Sequence, residues 1–119
     1  MGLDIFIEGR RTIWRDQPTY DDGTLCATHY DIARLHNHYD LHEWIAVEVI
    51  EGGCNSEAMY PLAEQDLRRI IDQIKSNYFG EPSEGERTLD PRPFQFALNW
   101  LNKPSPEGIS RSIYYCASF

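Results

Sequence analysis

DIARLHNHYDLHEWIAVEVI, residues 31–50, holds three of the four histidines and one of the three tryptophans, and its reading decides where helix and strand fall. At about 100° per residue a helix over this stretch sets Leu35, His38, Tyr39, His42, Ile45, Ala46 and Val49 on a core face. His36, Asp40, Glu43 and Val47 then form a wetter stripe, and Asn37, Leu41, Trp44 and Glu48 lie roughly opposite the core. Such a helix is apolar on two sides, so it is either sandwiched between layers or offers its second side, with Leu41 and Trp44, to a partner. Asp31 suits its N-cap. The β-branched run IAVEVI favours extended structure instead, which would stop the helix near Trp44.

Upstream, Leu3, Ile5 and Ile7 alternate with Asp4, Phe6 and Glu8, so residues 3–9 read as a strand that Arg10 and Arg11 either extend or turn. RDQPTYDDG, residues 15–23, is a loop or hairpin connection, and residues 24–30 are a candidate second strand. Downstream, Gly52-Gly53 and Asn55-Ser56 mark a stop and a turn. Leu67, Ile70, Ile71, Ile74 and Tyr78 recur at helical spacing, with Pro61 expected in the first turn and Gly80 at the end. The charged, proline-rich residues 81–93 read as a long exposed loop. Phe94 to Asn102 reads as a third helix, with Pro93 in its first turn and Pro104 and Pro106 beyond. Residues 112–119, SIYYCASF, alternate as a strand expected to pair antiparallel with the first. Residues 1–119 thus make a single α+β domain: a small antiparallel sheet from the N- and C-terminal strands, packed against about three helices.

Hydrophobic residues are 41% and charged residues 25% of the 119, globular values, and no apolar run approaches membrane-spanning length. Three scattered cysteines without a CxxC pair argue against a disulfide framework and for a cytoplasmic setting. A net charge of −8 disfavours direct contact with nucleic acid or an anionic membrane and favours a basic protein surface.

The histidines invite a metal reading. His38 and His42 are spaced to share a zinc ion from adjacent helical turns, with a third ligand from His29 or a cysteine. No HExxH motif is present, and partly buried, hydrogen-bonded imidazoles are the plainer account. His36, Asp40 and Glu43 on one stripe could form an acid–base pair, but no nucleophile, phosphate loop or second catalytic acid accompanies them. The residues therefore favour a non-enzymatic protein without a cofactor. The carboxylates are more informative. Asp21, Asp22, Glu81, Glu84, Glu86 and Asp90, gathered on one face, would imitate a nucleic-acid backbone and occupy a basic channel on a partner. Trp44 is the first candidate aromatic anchor, with Trp14, Tyr20 and Phe79 behind it.

MGLDIFI at the start, LHEWI in the middle, YPLAEQDLRRIID and the closing SIYYCASF together resemble a group of short uncharacterised phage and prophage proteins. Those open with MGLD, carry an IHxWF-like helix and end in a YYxxSW-like strand. The matching positions are Gly2, Leu3, Asp4, His42, Trp44, Tyr114, Tyr115 and Ser118. The group tends to place Trp-Arg-Lys and an Asn where Leu35, His36, Asn37 and Tyr39 stand here, so no role of those basic residues carries over. The resemblance implies a mobile-element product acting in the host cytoplasm that binds and inhibits a host protein, CRISPR effectors and other nucleic-acid-handling defence complexes among the candidates. A homodimer through the second apolar side of the central helix is the further expectation.

Overall fold

Alternation at the N-terminus does what it predicts and goes further. In the computed structural model, which describes residues 2–80 and 89–119, β1 runs Asp4–Ile13, with Leu3, Ile5 and Ile7 fully buried. β6, Ile109–Ser118, lies antiparallel to it along its whole length, from Asp4 opposite Ser118 to Ile13 opposite Ile109. Ile113, Tyr115 and Ala117 point to the same side as Ile5 and Ile7, so the two termini supply the middle of the sheet. The fold is α+β, with a four-stranded antiparallel sheet in the order β4-β1-β6-β5 and, among the described residues, three α-helices.

The stretch at residues 31–50 departs from a continuous helix. β4 occupies Ala27–His36 and pairs antiparallel with β1 from Asp4 opposite His36 to Thr12 opposite Ala27. Its register slips between Ile7 and Glu8, leaving Ile32 as a bulged residue. Asp31 therefore sits in a strand and caps nothing. Pairing with β1 satisfies this segment's backbone, and a 3.6-residue periodicity cannot report a partner that lies far away in sequence. Asn37, in the left-handed region at φ 59°, ends β4. Its amide donates to the Leu3 carbonyl at 2.7 Å, and its side-chain oxygen accepts from the Leu3 amide at 3.1 Å.

Only then does the helix begin. α1 spans Tyr39–Trp44, with His38 at the N-cap position, and continues as a π-helical turn over Ile45–Val49. The alternative of a helix stopping near Trp44 holds for the α-helical part, but the β-branched run that follows coils rather than extends. Ile50 donates to the Ile45 carbonyl at 2.9 Å and Glu51 to that of Ala46 at 3.1 Å, the wider spacing of a π-turn. The buried side is Leu41, 1% exposed, with Ile45 and Ala46, while Tyr39 is exposed. This reverses the expectation that Leu41 lies opposite the core. A helix phased on Asp31 starts too early, and residues 31–36 contribute no helical turns at all.

Beyond a turn, β5 (Met59–Leu62) pairs with β6 as a short edge strand and includes Pro61, which is not in a helix. α2 covers Glu64–Lys75 and buries Leu67, Ile70, Ile71 and Ile74 as its spacing predicts. The Asp66 carboxylate accepts from the Ala63 amide at 2.9 Å and closes its first turn. Tyr78, expected on that apolar face, lies past the helix end and is 62% exposed. α3, Arg92–Leu101, buries Phe94, Ala97, Leu98 and Trp100. The Trp100 indole sits over Gly9, where a Cβ would come within 2.8 Å of the ring. One face of the sheet is thus covered by helices. A small hairpin, β2 (Thr19–Tyr20) and β3 (Gly23–Thr24), projects between β1 and β4.

Candidate functional site

Asp40, Glu43, Val47 and Glu48 recur along α1 and the π-turn at near-helical spacing, and the structure sets all four along one open groove of about 420 Å³. Trp44, Tyr78 and Phe79 complete its walls. Trp44 is half-buried, its ring meeting Phe79 edge-on at 6.0 Å between centroids, and Phe79 meets Tyr78 likewise at 5.2 Å. Val47 is 60% exposed on the same rim. All three acidic residues, Asp40, Glu43 and Glu48, are exposed. One cation already uses the site's edge. The Arg69 guanidinium lies 5.6 Å from the Trp44 ring centroid and donates to the Glu48 carbonyl at 3.1 Å, so the indole face accepts a guanidinium in this fold.

The spacing of Asp40, Glu43, Trp44, Val47 and Glu48, at i, i+3, i+4, i+7 and i+8, sets them on one side of the coil. The π-turn that follows Trp44 keeps Val47 and Glu48 on that side while Ile45 and Ala46 enter the core. Trp44, the first candidate anchor offered by the sequence, lines this groove. Sequence reasoning sets Asp40, Glu43 and Val47 on one stripe without making it a binding surface, and it assigns Tyr78 to the core. The stripe itself is the available signal.

The other acidic candidates do not join the groove. Asp21 and Asp22 form the tip of the β2–β3 hairpin, both with positive φ. That hairpin leaves the sheet at the Thr12–Ala27 end, whereas α1 leaves it at the Asp4–His36 end, the full length of a ten-residue strand away. At about 3.3 Å per residue this is roughly 30 Å. Asp90 is engaged locally, accepting from the Arg92 amide at 2.9 Å and the Arg92 Nε at 2.8 Å. The hydrogen bonds and charge of Arg92 hold its carboxyl below the ordinary range. Glu81, Glu84 and Glu86 lie outside the described residues. A continuous acidic face linking the hairpin to Trp44 is therefore not formed among the described residues.

The histidines separate as well. His29, on β4, contacts Glu8 at 2.6 Å, and His36, on β4 rather than on a helical stripe with Asp40, contacts Asp4. His42 Nδ1 lies 2.6 Å from the Tyr115 hydroxyl, with the two rings stacked 5.9 Å apart. Burial lowers the imidazole's pKa and raises that of the phenol, so a protonated Tyr115 donates to a neutral His42. Among the described residues no three histidines, cysteines or carboxylates gather in a metal-holding group, and His38, His42 and His29 are not brought to one point. Also among them, no helix is long and apolar enough to cross a membrane.

No family model, no curated protein and no solved structure matches this chain.

Proposed function

We propose that this protein is a non-catalytic binding module that holds a lysine- or arginine-bearing segment of a partner protein in the Trp44 groove. The observation that carries the reading is the coincidence, on one groove, of three carboxylates with an indole that already stacks against a guanidinium. Aromatic walls take the aliphatic stem and planar head of a basic side chain, and Asp40, Glu43 and Glu48 supply the opposite charge. The net charge of −8 adds long-range attraction for a basic partner. The resemblance to phage and prophage proteins supports the further reading that this partner is a host protein that the binding inhibits. A nucleic-acid-handling defence complex is the sharpest form of it, because such complexes expose basic channels.

The test is titration of a fluorescent arginine-rich peptide, followed by anisotropy and by Trp44 emission. Neutralising the groove with Asp40→Asn, Glu43→Gln and Glu48→Gln together should weaken binding about tenfold or more, some 1.4 kcal/mol, with an unchanged melting temperature. Raising salt should weaken the native protein more than the variant. Equal affinity of native and variant protein would remove the groove from consideration.

A further inference from the structure

Arg11 and Arg111 are direct cross-strand partners on β1 and β6. Both belong to the helix-facing side of the sheet, one row beyond Gly9 and Ile113, at the end where α3 terminates. Like charges set directly opposite in an antiparallel pair are destabilising. This chain has 19 carboxylates against 11 lysines and arginines, so no shortage of acids imposes the arrangement. Yet among the described residues neither guanidinium makes an ion pair, although six such pairs form elsewhere.

Apart from each other, the groups the two cations touch among the described residues are neutral. Arg111 lies over the Trp100 ring at 4.5 Å from its centroid and donates to the Trp100 carbonyl at 3.4 Å. Arg11 has Thr28 as its partner on the β4 side. The Thr28 hydroxyl donates to that of Tyr30 at 3.2 Å, and Tyr30 packs on Trp100 at 5.5 Å. The hydrogen bond from Thr28 and then that from Arg11 pull the Tyr30 phenol below its ordinary pKa. The Nε donors of Arg11 and Arg111, like that of Arg10 on the opposite face of the sheet, are shielded from solvent and have no acceptor among the described residues. An unsatisfied buried donor is costly, and on two directly facing arginines it adds to the like-charge cost that an anion on their open guanidinium edges would relieve.

We propose that the Arg11–Arg111 pair is a binding site for a small phosphate dianion, either inorganic phosphate or the terminal group of a phosphate monoester. Two planar guanidiniums offer paired donors to separate oxygens of one tetrahedral group, and its two negative charges match theirs. The Thr28 and Tyr30 hydroxyls stand beside the pair as further hydrogen-bonding groups. A polyanion such as a nucleic-acid strand is disfavoured, since it would bring many phosphates against a surface of net charge −8. This site is separate from the Trp44 groove and does not depend on it.

Arginine Nε–H resonances provide a direct readout. Titrating the full chain with sodium phosphate, and separately with glycerol phosphate, should shift the Nε–H signals of Arg11 and Arg111 saturably, with half-saturation at or below about 1 mM. Sodium chloride at matched ionic strength should leave them in place. Tighter binding of the ester than of inorganic phosphate would identify the ester as the better ligand, and the reverse would identify the free ion. Arg11→Gln should abolish saturation and raise the ligand-free melting temperature by relieving the like-charge contact. Arg34→Gln, on the other face of the sheet, should leave phosphate binding unchanged. The proposal is overturned if neither Nε–H signal moves with either ligand, if chloride moves them equally, or if Arg11→Gln binds phosphate as the native protein does.

Discussion

At His42 two effects act on one imidazole. Burial disfavours its charged form, and the Tyr115 hydroxyl, held protonated by its own burial, donates to the neutral ring. Its folded pKa therefore lies below the ordinary value of 6.5. Between pH 6.5 and that lower value the unfolded chain binds a proton the folded one refuses, so the contribution of His42 is complete above 6.5 and is lost as pH falls. Urea midpoints measured from about pH 7.5 to about pH 5 should decline on the acid side, and His42→Gln should flatten that decline. An imidazole titrating at or above 6.5 by NMR would contradict the assignment. Gly9 makes a second demand. Trp100 occupies the space a side chain would need, so Gly9→Ala should cost about 1–3 kcal/mol in urea denaturation despite the higher strand propensity of alanine. A neutral result would mean that the indole yields freely.

The elements show which local rules prevail over others. α2 carries its specification in its own residues, with apolar spacing, acidic first turn and Asp66 closing the Ala63 amide, and it forms around Leu67 to Ile74 as the periodicity expects. It nevertheless begins after Pro61 and ends at Lys75, short of Tyr78 and Gly80. The β2–β3 hairpin is less favourable. Asp21 and Asp22 both adopt positive φ, 51° and 62°, to make a two-residue turn between Tyr20 and Gly23, a conformation that suits an Asn-Gly pair better. The double substitution Asp21→Asn with Asp22→Gly should stabilise the protein by up to about 1 kcal/mol. Differential scanning calorimetry would register this as a rise of a few degrees, and a lower melting temperature would exclude the turn geometry. The π-turn after Trp44 is legible only in the folded molecule. IAVEV is β-branched, but its core contacts and the i to i+5 hydrogen bonds hold it coiled.

Across the whole molecule the decisive contact joins the two ends of the chain, since β1 and β6 form the centre of the sheet. Closing a loop of that length precedes most of the burial it makes possible, so refolding should be slow for a domain of this size, in milliseconds to seconds. Stopped-flow refolding already complete within the mixing time would show that the helices alone carry the transition state. The same topology separates the candidate surfaces. The hairpin acids and the Trp44 groove leave the sheet at opposite ends, so charge that looks concentrated in sequence is divided in space.

By itself, then, the sequence determined the α+β class, the pairing of its terminal strands, the existence of α3 and the buried face of α2 from Leu67 to Ile74. Each rests on short-range periodicity or on a residue type whose preference is strong locally. Tertiary structure alone decided that residues 31–36 extend along β1 rather than coil. It likewise decided that the histidines disperse, that Asp40, Glu43 and Glu48 meet Tyr78 and Phe79, and that Arg11 faces Arg111. Those outcomes depend on pairing between segments far apart in the chain, where a strand's backbone partners outweigh its own helical spacing and no local pattern records who the partner is.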